Sequence, residues 1–240
     1  MFKHFLKGKK GFKLNIGVTI YNIFLTIGVY LLSRKAAAKY PSPFTTPVFL
    51  STFVIIIVLM VSNISYKEYG TAKEILTYLL GPATIALAVP LYKHRGILVK
   101  YFIPAIAGIF VGTFSTITSA LLLAKLFHLT SMASSISIKS ITIAFASEVA
   151  KIIRADGILV AAFVMITGMI GAMFGPWLLN KLHVTHPIAR GLSIGTVAHG
   201  IGTAEIAREG EMQGAVAGVA MGLTGIITSV LIPFLLPYLL

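Results

Sequence analysis

His199 and Glu205 are the two side chains whose setting most invites chemistry. They lie in PIARGLSIGTVAHGIGTAEIAR, residues 187–208, between two long apolar runs that carry no charge. An imidazole exchanges protons near neutral pH, and a carboxylate holds a proton or a cation. At membrane depth either group is costly and marks a bundle interior or a water-filled cavity. Gly191, Gly195, Gly200 and Gly202 share the stretch. Glycines loosen a helix, and the backbone groups they free need partners. The stretch therefore reads as a broken helix lining a polar site. Six residues separate His199 from Glu205, which does not put them on one helix face. They meet only if the chain breaks at 200–202. Thr196 and Thr203 add hydroxyls, and the N–H groups freed around Gly200 and Gly202 suit a carboxylate anion.

A second set of candidates stands further upstream. Thr84, Ser140 and Thr142 offer hydroxyls beside proposed breaks, either bonded to backbone within a membrane helix or turned to an anion. Lys139 either snorkels to the interface or attracts that anion. Glu148 has two readings, an i,i+3 pair with Lys151 or a cavity carboxylate that handles a proton or cation. Glu205 has the same choice, with Arg208 as its local partner. Glu68, Glu74, Asp156, Glu209 and Glu211 sit at loop edges and read as solvated charges. Ser193, His199 and Glu205 do not amount to a hydrolase triad, because no nucleophile elbow frames the serine; no enzyme activity is expected.

The elements that must position these groups are membrane helices. The chain has 240 residues, of which 57% are hydrophobic and 11% charged, and its mean hydropathy is +0.92. Soluble domains carry about 25% charged residues. The fold class is therefore all-α, a polytopic integral membrane protein with six to eight transmembrane or re-entrant segments. Uncharged runs cover 14–33, 40–66, 75–92, 101–124, 157–180 and 212–240, with the helix of the second run starting near Pro47. The third is interrupted by Gly81, Pro82 and Pro90. Two shorter, more polar segments, 131–153 and 187–207, remain. The net charge of +13 resides in short loops, as orientation signals and anionic-lipid contacts do, and nucleic acid is not an expected partner. Lys3, Lys7, Lys9, Lys10 and Lys13 favour a cytoplasmic N-terminus. Without cysteine, and without a clustered His/Asp/Glu motif, no metal and no cofactor are implied.

The chain also carries a short internal similarity. TIALA at 84–88 matches TIAFA at 142–146, Lys93 matches Lys151, and GILV recurs at 96–99 and 157–160. Interrupted apolar segments at corresponding positions of two halves point to a transporter site. If both copies are re-entrant, the span at 101–124 inverts one relative to the other. If both cross, they are parallel.

LLGPATIALAVPLYK (79–93), KSITIAFASEVAK (139–151) and, above all, residues 187–233 resemble the LrgB/CidB family, and the similarity covers nearly the whole chain. That resemblance implies antiholin-like proteins proposed to modulate murein hydrolase activity and lysis, acting with a small holin-like partner of the LrgA/CidA type. A similar plant plastidal relative exchanges glycolate and glycerate, and bacterial pairs have been linked to pyruvate. The family pattern has proline before the Lys-Ser pair and again near the following turn. Ile138 and Ala144 stand there instead, and proline removal favours a more continuous second segment.

Together these readings predict one transmembrane domain over 1–240. It comprises N-terminal helices (14–66), a first repeat (75–124), a second repeat (131–180), and a Gly-rich broken helix with the last span (187–240). The expected function is alternating-access transport of a small monocarboxylate in the bacterial cytoplasmic membrane, in contact with lipid and with the holin-like partner. Thr84, Lys139, Ser140, Thr142, Thr196, His199, Gly200, Gly202 and Thr203 would hold the substrate, and Glu148, His199 and Glu205 a coupling ion or proton. The alternative is an antiholin-like regulator without transport of its own. Self-association stays open.

Overall fold

The computed structural model describes residues 16–86, 88–93 and 95–239. The lysine-rich terminus, on which the predicted orientation rests, lies outside the described residues. Among the described residues all regular structure is helical. α1 (Ile16–Lys39) is uncharged as far as Ser33, and it ends just before Tyr40-Pro41, because proline steers the preceding residue out of the helical region. A single 3-10 turn, Pro43–Thr45, is capped by Ser42. α2 (Pro47–Val61) starts at the predicted proline, which has no N–H to satisfy.

α3 (Tyr66–Tyr78) begins with a capping box: the Glu68 amide donates to the Ser65 hydroxyl, and the Ser65 amide to the Glu68 carboxylate at 2.8 Å. The interrupted run at 75–92 is not one helix. α3 ends in a turn at Leu79, and the described helical stretches beyond it are α4 (Leu80–Ala86), α5 (Ala88–Lys93) and α6 (Arg95–Lys100), bounded at 87 and 94 by residues outside the described ones. Pro82 falls in the first turn of α4, where the missing donor costs nothing.

The remainder is α7 (Phe102–Leu126), α8 (Thr130–Ser137), α9 (Ile143–Ile152), α10 (Gly157–Lys181), α11 (Pro187–Ile206) and α12 (Glu211–Leu239). Among the described residues four stretches are long and apolar enough to cross a membrane: α1, α7, α10 and Glu211–Leu236 of α12. At ~1.5 Å per residue each exceeds the ~30 Å hydrocarbon core.

Two buried clusters order these helices. One joins Ile117, Leu121 and Ala124 late in α7 to Val160 and Val164 early in α10, and to Ile232 and Leu236 late in α12. The other joins Leu179 late in α10 to Ala217 early in α12. α10 is therefore antiparallel to both α7 and α12. The 130–153 segment leaves the end of α7 and returns to the start of α10 at the same end of the bundle. It turns over at 138–142, where Ile138 and Ile141 are fully buried in the first cluster. The absent prolines do not make this segment continuous. Burial of the two isoleucines holds the turn instead.

Candidate functional site

α11 is two helical arms joined at His199, whose backbone torsions are φ 40° and ψ −140°. Positive φ is unfavourable for a residue with a Cβ and marks stored strain. The chain doubles back there. A Cβ placed on Gly202 would come within 2.8 Å of Ile194 Cγ2, a contact that a straight helix never makes eight residues apart. At the other end Arg190 and Glu209 bond directly, whereas nineteen residues of straight helix would span ~28 Å. Along the first arm, Gly175, Gly171 and Gly168 of α10 face Ile194, Ala198 and His199 in turn, so the arm runs against α10. Gly191 and Gly195 face Gln213 and Ala217, so it runs with α12. The hairpin thus enters from the end of the bundle opposite the 130–153 segment, and His199 is its apex.

The break lies one residue before the predicted 200–202. The glycines have other work there. Gly191, Gly195 and Gly202 are buried where backbone or side chains approach too closely for a Cβ, while Gly200 has only Met221 Sδ nearby, at 3.6 Å.

The apex is buried and polar. His199 is 4% exposed, and its Nε2 lies 2.9 Å from the Val164 carbonyl oxygen. A carbonyl only accepts, so Nε2 carries the proton and donates, and Nδ1 of a neutral ring is left as an acceptor. Gly168 makes room: a Cβ there would sit 2.6 Å from the imidazole. Thr203 Oγ1 donates to the His199 carbonyl at 2.7 Å and covers a backbone acceptor freed at the break. Thr196 is buried against Gly112 of α7.

Sequence reasoning missed two further hydroxyls. Thr113, beside Gly112, and Thr224, one turn beyond the Met221 level on α12, are buried with no hydrogen-bond partner among the described residues. Nothing in their local sequence distinguishes them from apolar-face threonines.

The other predicted residues fall elsewhere. Ser140 is buried in the 138–142 turn and accepts from Lys139 Nζ at 3.3 Å, and Thr142 is the half-buried N-cap of α9. Phe145, in the first turn of α9, packs against Gly225 beside Thr224. Glu148 is exposed and bonds Lys151 at 2.6 Å. The Thr84 side chain lies outside the described residues.

At the feet of the hairpin lies a cavity of about 360 Å³ that includes Glu205, Arg208 and Glu209. Glu205 stays on the local pair with Arg208, at 2.7 Å, and does not meet His199 in a hydrogen bond. Glu209 keeps the exposed loop-edge position expected of it and also carries an ion pair. It holds Arg190, itself 7% exposed, through two bonds of 2.6 Å, and Arg190 Nη1 also donates to the Val184 carbonyl at 2.8 Å. A buried guanidinium needs such a partner, and only the hairpin supplies one. Asp156, likewise read as solvated, caps α10 by accepting from the Ile158 and Leu159 amides.

Long apolar helices with strained, doubled-back segments between them define an integral membrane protein of the discontinuous-helix class. The chain belongs to the LrgB-like family, whose profile matches residues 26–238. It is 35% identical over 189 residues to the "Uncharacterized protein YwbG" of Bacillus subtilis, covering 78% of this chain and 84% of that one. It is 32% identical to the "Holin-like protein CidB" of Staphylococcus epidermidis, covering 76% and 80%. To the "Antiholin-like protein LrgB" of Bacillus cereus it is also 32% identical, covering 71% and 74%. No solved structure matches the chain.

Proposed function

We propose that the chain is the large membrane component of a holin/antiholin-type system in the bacterial cytoplasmic membrane, with its N-terminus cytoplasmic and a small holin-like protein as partner. The activity its geometry supports best is alternating-access transport of a small monocarboxylate. The observation that carries this reading is the doubled-back hairpin with its buried His199 apex. Strained backbone and ionisable groups at membrane depth are retained where they line a substrate path. In this reading Thr196, His199, Gly200, Gly202 and Thr203 bind the acid from one end. Lys139, Ser140 and Thr142 bind it from the other, with Thr84 in the related first segment, and Glu205 or His199 carries a coupling proton or ion. Glu148, paired on the exposed surface, is left out. The antiparallel 25-residue helices α7 and α10, each following an interrupted segment, support an inverted repeat.

The names of the relatives favour a second reading more directly: an antiholin-like regulator of murein hydrolase activity with no transport of its own. Uptake of labelled pyruvate, glycolate, glycerate and lactate into liposomes separates the two. Saturable uptake by the chain, alone or with the holin-like partner, supports the carrier. Absence of uptake in both preparations, with lysis still altered in cells lacking the gene, supports the regulator. Uptake that survives both His199→Ala and Glu205→Gln overturns the site.

A further inference from the structure

The cavity at the hairpin feet holds a guanidinium that the apex does not use. Ser42, Thr45, Trp177, Asn180, Glu205 and Arg208 line it, with Glu209 at its edge. Its two arginines are bonded differently. The Arg190 side chain is 8% exposed and spends three hydrogen bonds on Glu209 and Val184. The Arg208 side chain is 30% exposed, and its one hydrogen bond among the described residues joins Nη1 to Glu205. A guanidinium has five N–H donors in a fork that fits a carboxylate. Among the described residues only Nη1 of that fork is engaged, so its other donors can take up a second carboxylate. Asn180 adds an amide with no side-chain hydrogen bond among the described residues.

We propose that this cavity binds a short monocarboxylate, which takes the Arg208 guanidinium over from Glu205 before or after it visits the His199 apex. The passage to the apex rests on the transport reading; the binding does not.

Trp177 is the chain's single tryptophan and lines the cavity, so its fluorescence reports on this site. The full chain in lipid nanodiscs is titrated with lactate and glycolate, with lactamide, chloride and sulfate as controls. The acids should give a saturable change, lactamide none, and the inorganic anions far less. Arg208→Ala should weaken binding about tenfold or more, the scale of a charge-assisted hydrogen bond. Glu205→Gln should tighten it, because the competing carboxylate is gone. No response to either acid, an equal response to chloride, or weakening by Glu205→Gln overturns the proposal. If Arg208→Ala does not fold, the direction of the Glu205→Gln effect decides alone. Binding without uptake in liposomes sinks the transport reading and leaves this site standing. Uptake without an acid-dependent Trp177 signal does the reverse.

Discussion

Arg190 and Glu209 meet through two hydrogen bonds of 2.6 Å across nineteen residues of chain. The pair joins the feet of a hairpin whose apex, His199, is tied to α10 by the bond to the Val164 carbonyl. Both ends of the hairpin are thus held by interactions that exist only when the chain doubles back. The strained His199 backbone persists because these contacts over-determine it.

Glu209→Gln leaves the Arg190 guanidinium buried without a counter-ion. We expect a loss of about 1.5–3 kcal/mol, the range for hydrogen bonds to charged groups. The partial exposure of Glu209 places the effect towards the lower end. Thermal unfolding in detergent reads it, and an unchanged midpoint would show that the pair contributes nothing.

At position 199 glycine should be better tolerated than alanine. In a regular helix alanine is favoured over glycine by about 1 kcal/mol. A φ of 40° reverses that order, since only glycine adopts it freely. Unfolding midpoints of His199→Gly and His199→Ala decide the matter. If the alanine variant is the more stable, the backbone there is helical.

Gly168→Ala should push the imidazole off Val164 and cost about 1–3 kcal/mol by overpacking. Gly222, with open space around its Cβ direction, is the control and should accept alanine. The Gly168→Ala penalty should shrink in a His199→Gly background, because the clashing ring is gone. Strictly additive effects would place the clash elsewhere.

Glu68 gives a pH prediction outside the membrane. The Ser65 hydroxyl and then its backbone amide hold the Glu68 carboxyl below the usual carboxylate range. A carboxyl lowered in the folded state contributes stability above its unfolded pKa, and that contribution fades as pH falls through the folded value. Amide protection in the first turn of α3, measured against the intrinsic exchange rate at each pH, should therefore fall in acid. Ser65→Ala removes the larger of the two contributions and leaves the backbone amide, so it should weaken that dependence; if the acid response is unchanged, the Ser65 hydroxyl is not its main source.

What the sequence by itself determined is whatever depends on neighbours a few residues apart. Low charge and long apolar runs dictate membrane helices, and Pro47 sets the start of α2. The Glu205–Arg208 and Glu148–Lys151 pairs are one of two readings that i,i+3 spacing leaves open, and the structure adopts that reading for both. The polar glycine-rich block at 187–208 announced a broken helix for the same reason, since the cost of such residues at membrane depth is local. Tertiary structure decided the rest. It put the break at His199 rather than at 200–202, turned Gly191, Gly195 and Gly202 into close-contact positions, and brought Glu209 onto Arg190. It also buried Thr113 and Thr224 with no hydrogen-bond partner among the described residues. Each of these depends on which surface another helix presents, and residues dozens of positions apart supply that surface.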